Sequence, residues 1–305
     1  MRSSHDGALF LIGAPRSGTS LLYKILCLHP DVSWVSNWVR RFPNVLSLAA
    51  LNRVPPRLPR LRRKVWFGND SNAYVYGEPR SMWRRSFPMP VEGEPLFERC
   101  GIPDDVASRR SQPSERSHQI SDLRAAVATI CRFSGASLFV NKRIANNRRI
   151  PLLVDAFPRA RFVDMVRDGR AVAYSLSRVD WWPDSSLWWH PGTPRGWAAE
   201  GGDPWELCAR SWVEEIEAIR QGLDVVPPEQ VLQVSYEDLV ADPLATLDSL
   251  VQFAGLDRDQ RWSREVEELE FPDRNERWRG GLSTADKAVI EDIQSETLTR
   301  FGYAI

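Results

Sequence analysis

The stretch from Ala8 to Leu26 constrains the fold more than any other part of the chain: Ala-Leu-Phe-Leu-Ile-Gly-Ala-Pro-Arg-Ser-Gly-Thr-Ser-Leu-Leu-Tyr-Lys-Ile-Leu. Its opening apolar run is too short for a membrane span and reads as a buried parallel strand. Gly13 breaks the strand, and Gly18 permits a tight turn that a Cβ would obstruct. Thr19 and Ser20 then open an amphipathic helix with Leu22, Ile25 and Leu26 on its inner face. A strand, a glycine-bounded loop and a helix N-terminus together make an anion cradle, because amide groups and the positive end of the helix dipole converge there.

The details of the loop narrow its ligand. Gly13 and Gly18 have the spacing of an ATP-type phosphate loop, but Thr19 stands where that loop has lysine, and the basic residue is Arg16 within the turn. No acidic strand end is evident to hold magnesium. These departures argue against ATP chemistry.

The remaining chain reads as alternating strands and helices, the pattern of a parallel sheet with helices on both faces. Strands are expected around Val32 and Trp34, at Ser137–Val140, Arg161–Val166 and Val231–Ser235. Helices are expected at Ser121–Phe133, Ile150–Phe157, from Ala171, at Trp205–Gly222, at Pro243–Ala254, and after a cap at Ser283. Asn37–Pro43 is expected as a loop. Residues 54–117 are rich in Pro and Arg with aperiodic aromatics, and read as an irregular insertion over the sheet, cap-like in role. With no internal repeat, the expected architecture is a single α/β domain over residues 1–305, with a P-loop-like central parallel sheet flanked by helices.

The balance of 40 basic and 40 acidic residues leaves no net charge. There is thus no global field to recruit nucleic acid or an anionic membrane, and any anion site must be built from local charges. The four cysteines, Cys27, Cys100, Cys131 and Cys208, form no Cys-x-x-Cys pair and read as reduced thiols. The N-terminus shows no signal peptide, and no run is long enough to span a membrane. A cytoplasmic location is the expectation. Oligomeric state has no readable signal.

Two further anion signals follow strands. Arg167, at a strand end in Val166-Arg-Asp-Gly-Arg170, is followed eight residues on by Ser175, about one to two turns into the next helix; an arginine fork with a hydroxyl suits a phosphate monoester. Lys142, in Asn141-Lys-Arg143, is placed to reach across neighbouring strand ends.

In order along the chain, Pro15–Thr19, His29–Val32, Asn141-Lys142 and Val166–Arg170 resemble signatures of the sulfotransferase superfamily, and in particular its tyrosylprotein and bacterial branch. Tyr236–Leu239, Asp242-Pro243 and Arg277–Arg279 extend the resemblance, which is weakest over residues 43–117. The resemblance implies a donor, 3′-phosphoadenosine 5′-phosphosulfate (PAPS), with adenosine 3′,5′-bisphosphate as product and no metal. It implies that Pro15, Arg16, Ser17, Gly18, Thr19 and Ser20 hold the 5′-phosphosulfate, with loop amides doing most of the binding. Arg16 and Lys142 would neutralise the departing charge, and Arg167 and Ser175 would clamp the 3′-phosphate. Arg277 and Arg279 would close over the nucleotide, with Trp278 near the base.

One position departs from the pattern. The tyrosylprotein branch has a glutamate as general base where this chain has Asn37, and an amide cannot accept the proton. Glu92, His190, Glu78 and Asp180 are the candidates, with Glu92 ranked first and His190 second; imidazole has the most suitable intrinsic pKa.

Five tryptophans between Arg178 and Trp197 read either as anchors of a long loop or as a wall for an apolar acceptor. The acceptor expected is an apolar or aromatic small molecule. An anionic glycan would need a basic groove, for which Arg57–Arg63 is the one source. A P-loop nucleotide kinase and a non-catalytic nucleotide-binding protein remain as alternatives.

Overall fold

In a computed structural model of the chain, the structure describes residues 7–68, 85–103 and 113–304. Five strands, β1 (Gly7–Ile12), β2 (Val32–Ser33), β3 (Leu138–Lys142), β4 (Arg161–Val166) and β5 (Val231–Ser235), form one sheet in the order β2-β3-β1-β4-β5. Every pairing is parallel. β1 is central, and its side chains alternate between two cores: Leu9 and Leu11 on one face, Ala8, Phe10 and Ile12 on the other. Burial on both faces is why the strand is apolar without alternation.

The strand order decides where function can sit. The chain leaves β1 toward β2 and β3, then crosses back over β1 to β4. The carboxyl ends of β3, β1 and β4 are therefore neighbours, about 4.8 Å apart from strand to strand. Those three ends carry Lys142, the Gly13–Gly18 loop and Arg167. This is the switch point at which open α/β sheets hold ligands.

Local chemistry accounts for most element boundaries. The helix Thr19–Leu26 begins at Gly18, and Pro243–Ala254 stops at Gly255 with φ 70°. Ser283 and Asp286 close a reciprocal capping box on Thr284–Arg300. The helix Pro204–Leu223 buries Trp212, Ile216 and Ile219. All four cysteines are free and buried, and burial pushes the thiols of Cys100 and Cys131 up to about 11.

Four expectations need correction. Asn37–Arg41 is a short helix rather than a loop, because Ser36 Oγ accepts from the Val39 amide at 3.2 Å. The strand expected to end at Val140 runs through Lys142, since Asn141 and Lys142 pair with Phe10 and Leu11. Much of the described part of 54–117 is helical rather than irregular, notably Pro59–Phe67 and Glu94–Arg99, while 87–93 is not, and the helix expected from Ser121 starts at Pro113. Pro59 lies at the start of its helix, where a missing N–H costs nothing. Trp66 and Phe67 are buried in the core, with Trp66 edge-on to Trp34 at 5.5 Å. Tyr74, Tyr76, Glu78 and Trp83 lie outside the described residues.

Candidate active site

The glycine loop is held in a demanding conformation. Gly13 adopts φ 150° and Gly18 φ 97°. A Cβ on Gly13 would stand 2.6 Å from the Met165 carbonyl oxygen, and one on Gly18 would stand 2.9 Å from the Tyr236 ring. Arg16 has φ 72°, the one non-glycine residue at positive φ among those described. Such a backbone costs on the order of 1–3 kcal/mol and persists where the surroundings impose it. Here they do: the Ser17 amide donates to Ala14 O at 3.2 Å, and Arg167 Nη1 donates to Arg16 O at 2.9 Å. Asn147 adds a clamp, accepting from the Gly13 amide at 3.2 Å and donating to the Gly13 carbonyl at 3.0 Å.

Arg16 and Ser175 meet directly, the guanidinium Nε donating to Ser175 Oγ at 3.0 Å. Arg167 also donates to Arg274 O and the Asn275 side chain, each at 3.1 Å, and lies 4.1 Å above the Tyr236 ring. The glycine loop and the Arg167–Ser175 unit are thus one surface. Across it, Lys142 Nζ pairs with Glu92 Oε1. Lys142 is nearly buried, whereas the Glu92 side chain is 40% exposed. Glu92 is delivered by residues 89–91, which run alongside 35–37: the Val91 amide donates to Val35 O, and the Met89 amide to Asn37 Oδ1. Asn37 Nδ2 donates in turn to Arg85 O at 2.8 Å and Phe87 O at 3.1 Å. The Asn37 side chain ties down the segment that carries Glu92.

These groups line one cavity of about 830 Å³, toward the upper end of small-molecule sites. Pro15, Arg16, Gly18, Thr19 and Ser20 line it with Lys142, Glu92, Arg167, Ser175 and Arg277. Four of the five loop tryptophans, Trp181, Trp182, Trp188 and Trp189, form an apolar wall; Trp182 is at the same time buried in the core. The helix that starts at Thr19 receives no side-chain cap from Gly18, so its first two amides, those of Thr19 and Ser20, face the cavity side without a cap.

Other expected residues are placed elsewhere. Ser17 does not line the cavity: its amide is committed to the turn, and its hydroxyl is buried without a partner. His190 does not line it either, packing edge-on to Trp197 at 5.4 Å and Trp189 at 5.8 Å. Asp180 is likewise absent from the lining. The short helix Arg277–Gly281 turns Arg277 to the cavity and Trp278 into the core, beneath Arg170 at 4.5 Å. Arg279 pairs with Glu276 outside the cavity.

One residue at the centre of the site was missed. Glu215, buried on Pro204–Leu223, accepts from Asn147 Nδ2 at 2.6 Å, Arg148 Nη1 at 3.0 Å and Trp188 Nε1 at 2.9 Å. It joins the acceptor-side wall to the clamp on Gly13. A signal was present: Glu215 falls on the same helix face as Trp212, Ile216 and Ile219, where a lone carboxylate is out of place.

A parallel sheet with a glycine loop at its switch point, a second arginine–hydroxyl pair beside that loop and a lysine opposite is chemistry suited to an anionic, phosphorylated ligand. The sequence profile of the sulfotransferase family matches residues 8–260, and the chain belongs to that family of enzymes. It is 22% identical over 324 residues to omega-hydroxy-beta-dihydromenaquinone-9 sulfotransferase Stf3 of Mycobacterium tuberculosis, covering 98% of this chain and 76% of that one. It is 24% identical over 254 residues to the protein-tyrosine sulfotransferase of Drosophila melanogaster, covering 80% of this chain and 37% of the other. Among solved structures, sulfotransferase STF9 of Mycobacterium avium shares the fold, with a TM-score of 0.61 at 16% identity over 99% of this chain and 79% of that one. STF1 of Mycobacterium tuberculosis gives a TM-score of 0.55 at 16% identity, over 94% and 76% of the two chains.

Proposed function

We propose that this sulfotransferase moves a sulfuryl group from PAPS to a hydroxyl of an apolar or aromatic small molecule. The observation that carries the proposal is the contact of Arg16 with Ser175 and of Arg167 with the Arg16 carbonyl. Two anion-binding segments distant in sequence form one surface, as a nucleotide phosphorylated at both 3′ and 5′ positions requires. The first-turn amides of Thr19 and Ser20 hold the 5′ side, and Arg167 with Ser175 the 3′ side. Glu92 takes the acceptor's proton as its oxygen bonds to sulfur and the bond from sulfur to the bridging oxygen breaks. Arg16 and Lys142 stabilise the negative charge that leaves with adenosine 3′,5′-bisphosphate. The tryptophan wall supports an apolar acceptor, and a similar chain is named for a hydroxylated menaquinone.

Titration calorimetry tests the donor. Adenosine 3′,5′-bisphosphate should bind far more tightly than ATP with magnesium, and EDTA should not matter; the reverse order would favour a kinase. Arg16→Ala and Lys142→Ala should each lower turnover on the order of 10²–10³-fold, with a smaller loss of nucleotide affinity. Bisphosphate binding without transfer to any hydroxylated acceptor, followed by mass spectrometry, would reduce the chain to a nucleotide binder.

A further inference from the structure

In the motif Tyr236-Glu-Asp-Leu239, packing accounts for the two apolar positions. Tyr236 is buried with its ring under the Arg167 guanidinium, and Leu239 is in the core. Glu237 is a different case. β5 pairs with β4 so that Ser235 lies opposite Val166, and the helix Tyr236–Ala241 therefore begins beside Arg167 and Asp168. A carboxylate in the first turn of a helix is ordinarily a solvated partner of the helix dipole. Glu237 is instead half-buried and joins three segments that are far apart in sequence. Its Oε1 accepts from the Asp168 amide at 3.1 Å and from Asn275 Nδ2 at 2.9 Å, and its Oε2 accepts from the Tyr303 hydroxyl at 3.1 Å.

Asn275 carries the contact on to Arg167. Its Oδ1 accepts from Arg167 Nε at 3.1 Å while its Nδ2 donates to Glu237. The amide is oriented from both ends, because a guanidinium can only donate and a carboxylate can only accept. The carbonyls of Arg16 and Arg274 accept from Arg167 Nη1 and Nη2, at 2.9 and 3.1 Å. Contacts on all three nitrogens fix the plane of the guanidinium. On either side of Asn275 in the chain, Arg274 and Arg277 line the cavity with Arg167, whereas Glu237, Asn275 and Tyr303 do not. Glu237 thus stands behind the cations rather than among them.

The third donor holds the carboxylate in place. Burial, and then the Glu237 carboxylate itself, push the Tyr303 phenol well above its ordinary 10, so it stays protonated and donates. Arg170 Nη1 donates to Ala304 O at 2.8 Å, which fixes the same tail to the turn after β4.

We propose that Glu237, acting through Asn275, is a positioning residue for Arg167, and that it sets how strongly the cavity prefers a nucleotide with a 3′-phosphate to one without. A guanidinium already oriented loses less freedom when it forms paired hydrogen bonds to phosphate. This rests on the reading of Arg167 and Ser175 as the 3′-phosphate clamp.

Titration calorimetry of the full chain with adenosine 3′,5′-bisphosphate and with adenosine 5′-monophosphate tests it. The parent should prefer the bisphosphate. Glu237→Ala and Asn275→Leu should each cut that preference about tenfold or more, the worth of a hydrogen bond to a charged group, with the monophosphate affinity held. Glu237→Gln can still accept at Oε1 and should recover most of the preference, and Tyr303→Phe should lose less than Glu237→Ala. A purely structural carboxylate would weaken both nucleotides alike and leave their ratio at the parent value. That unchanged ratio, or a Glu237→Gln protein as impaired as Glu237→Ala, overturns the inference. A parent indifferent to the 3′-phosphate overturns the clamp itself, and the positioning of Arg167 for it.

Discussion

Replacing Glu215 by alanine should unsettle both sides of the active site at once. The carboxylate is buried and accepts from Asn147, Arg148 and Trp188 at 2.6, 3.0 and 2.9 Å. Removing it takes the carboxylate from the Arg148 guanidinium, whose side chain is only 15% exposed, and from two further donors. Breaking one partner out of a buried ion pair costs about 3–5 kcal/mol, and each stranded neutral donor costs about 1–3 kcal/mol if nothing relaxes to meet it. Side-chain rearrangement around the cavity offsets part of the second cost, so a total of about 5 kcal/mol or more is expected for Glu215→Ala. That should appear as a lower urea midpoint at unchanged m-value. Glu215→Gln keeps the shape but puts an amide N–H against donors, and should cost about 1–3 kcal/mol. In this milder variant Trp188 and the Gly13 clamp both lose their charged anchor. Acceptor KM should rise, and calorimetry should show weaker binding of adenosine 3′,5′-bisphosphate. Trp188→Phe, which removes only the indole donor, should raise acceptor KM and leave nucleotide affinity alone. A Glu215→Ala protein within 0.5 kcal/mol of the parent, or a Glu215→Gln protein with unaltered nucleotide affinity, would refute the role given to this residue.

Two further outcomes concern a buried carboxyl and the glycine loop. Burial pushes the Asp164 carboxyl up to about 6 from an ordinary 3.8, and its Oδ1 has no partner. The native state therefore keeps this proton to higher pH than the unfolded chain, and stability falls as pH rises from about 4 to 6. The full penalty above that range is about 3 kcal/mol; Asp164→Asn should recover much of it at pH 7.5 and flatten that part of the stability–pH curve, as read by urea denaturation. Gly18→Ala forces alanine to φ 97° with its Cβ 2.9 Å from the Tyr236 ring. It should cost at least about 1–3 kcal/mol and abolish nucleotide binding in a calorimetric titration, while a variant that binds as the parent does would show that the loop geometry is not required.

What the sequence determined by itself was local. The apolar run before Gly13, the glycine spacing, the capping box at Ser283 and the helical period around Trp212 are each set by sterics and solvation within a few residues. The order of motifs marked the family for the same reason, since phosphate loops are short and contiguous. The tertiary structure decided which strand ends are neighbours, and so which charges act together. Lys142 meets a carboxylate from residue 92, Arg16 meets Ser175, and Gly13 is held through Asn147 by Glu215. Whether Trp278 faced the nucleotide or the core, and whether His190 reached the cavity, depended on how a short helix and a loop packed against distant elements. Those outcomes rest on free-energy differences between whole packings, which no local pattern of side chains records.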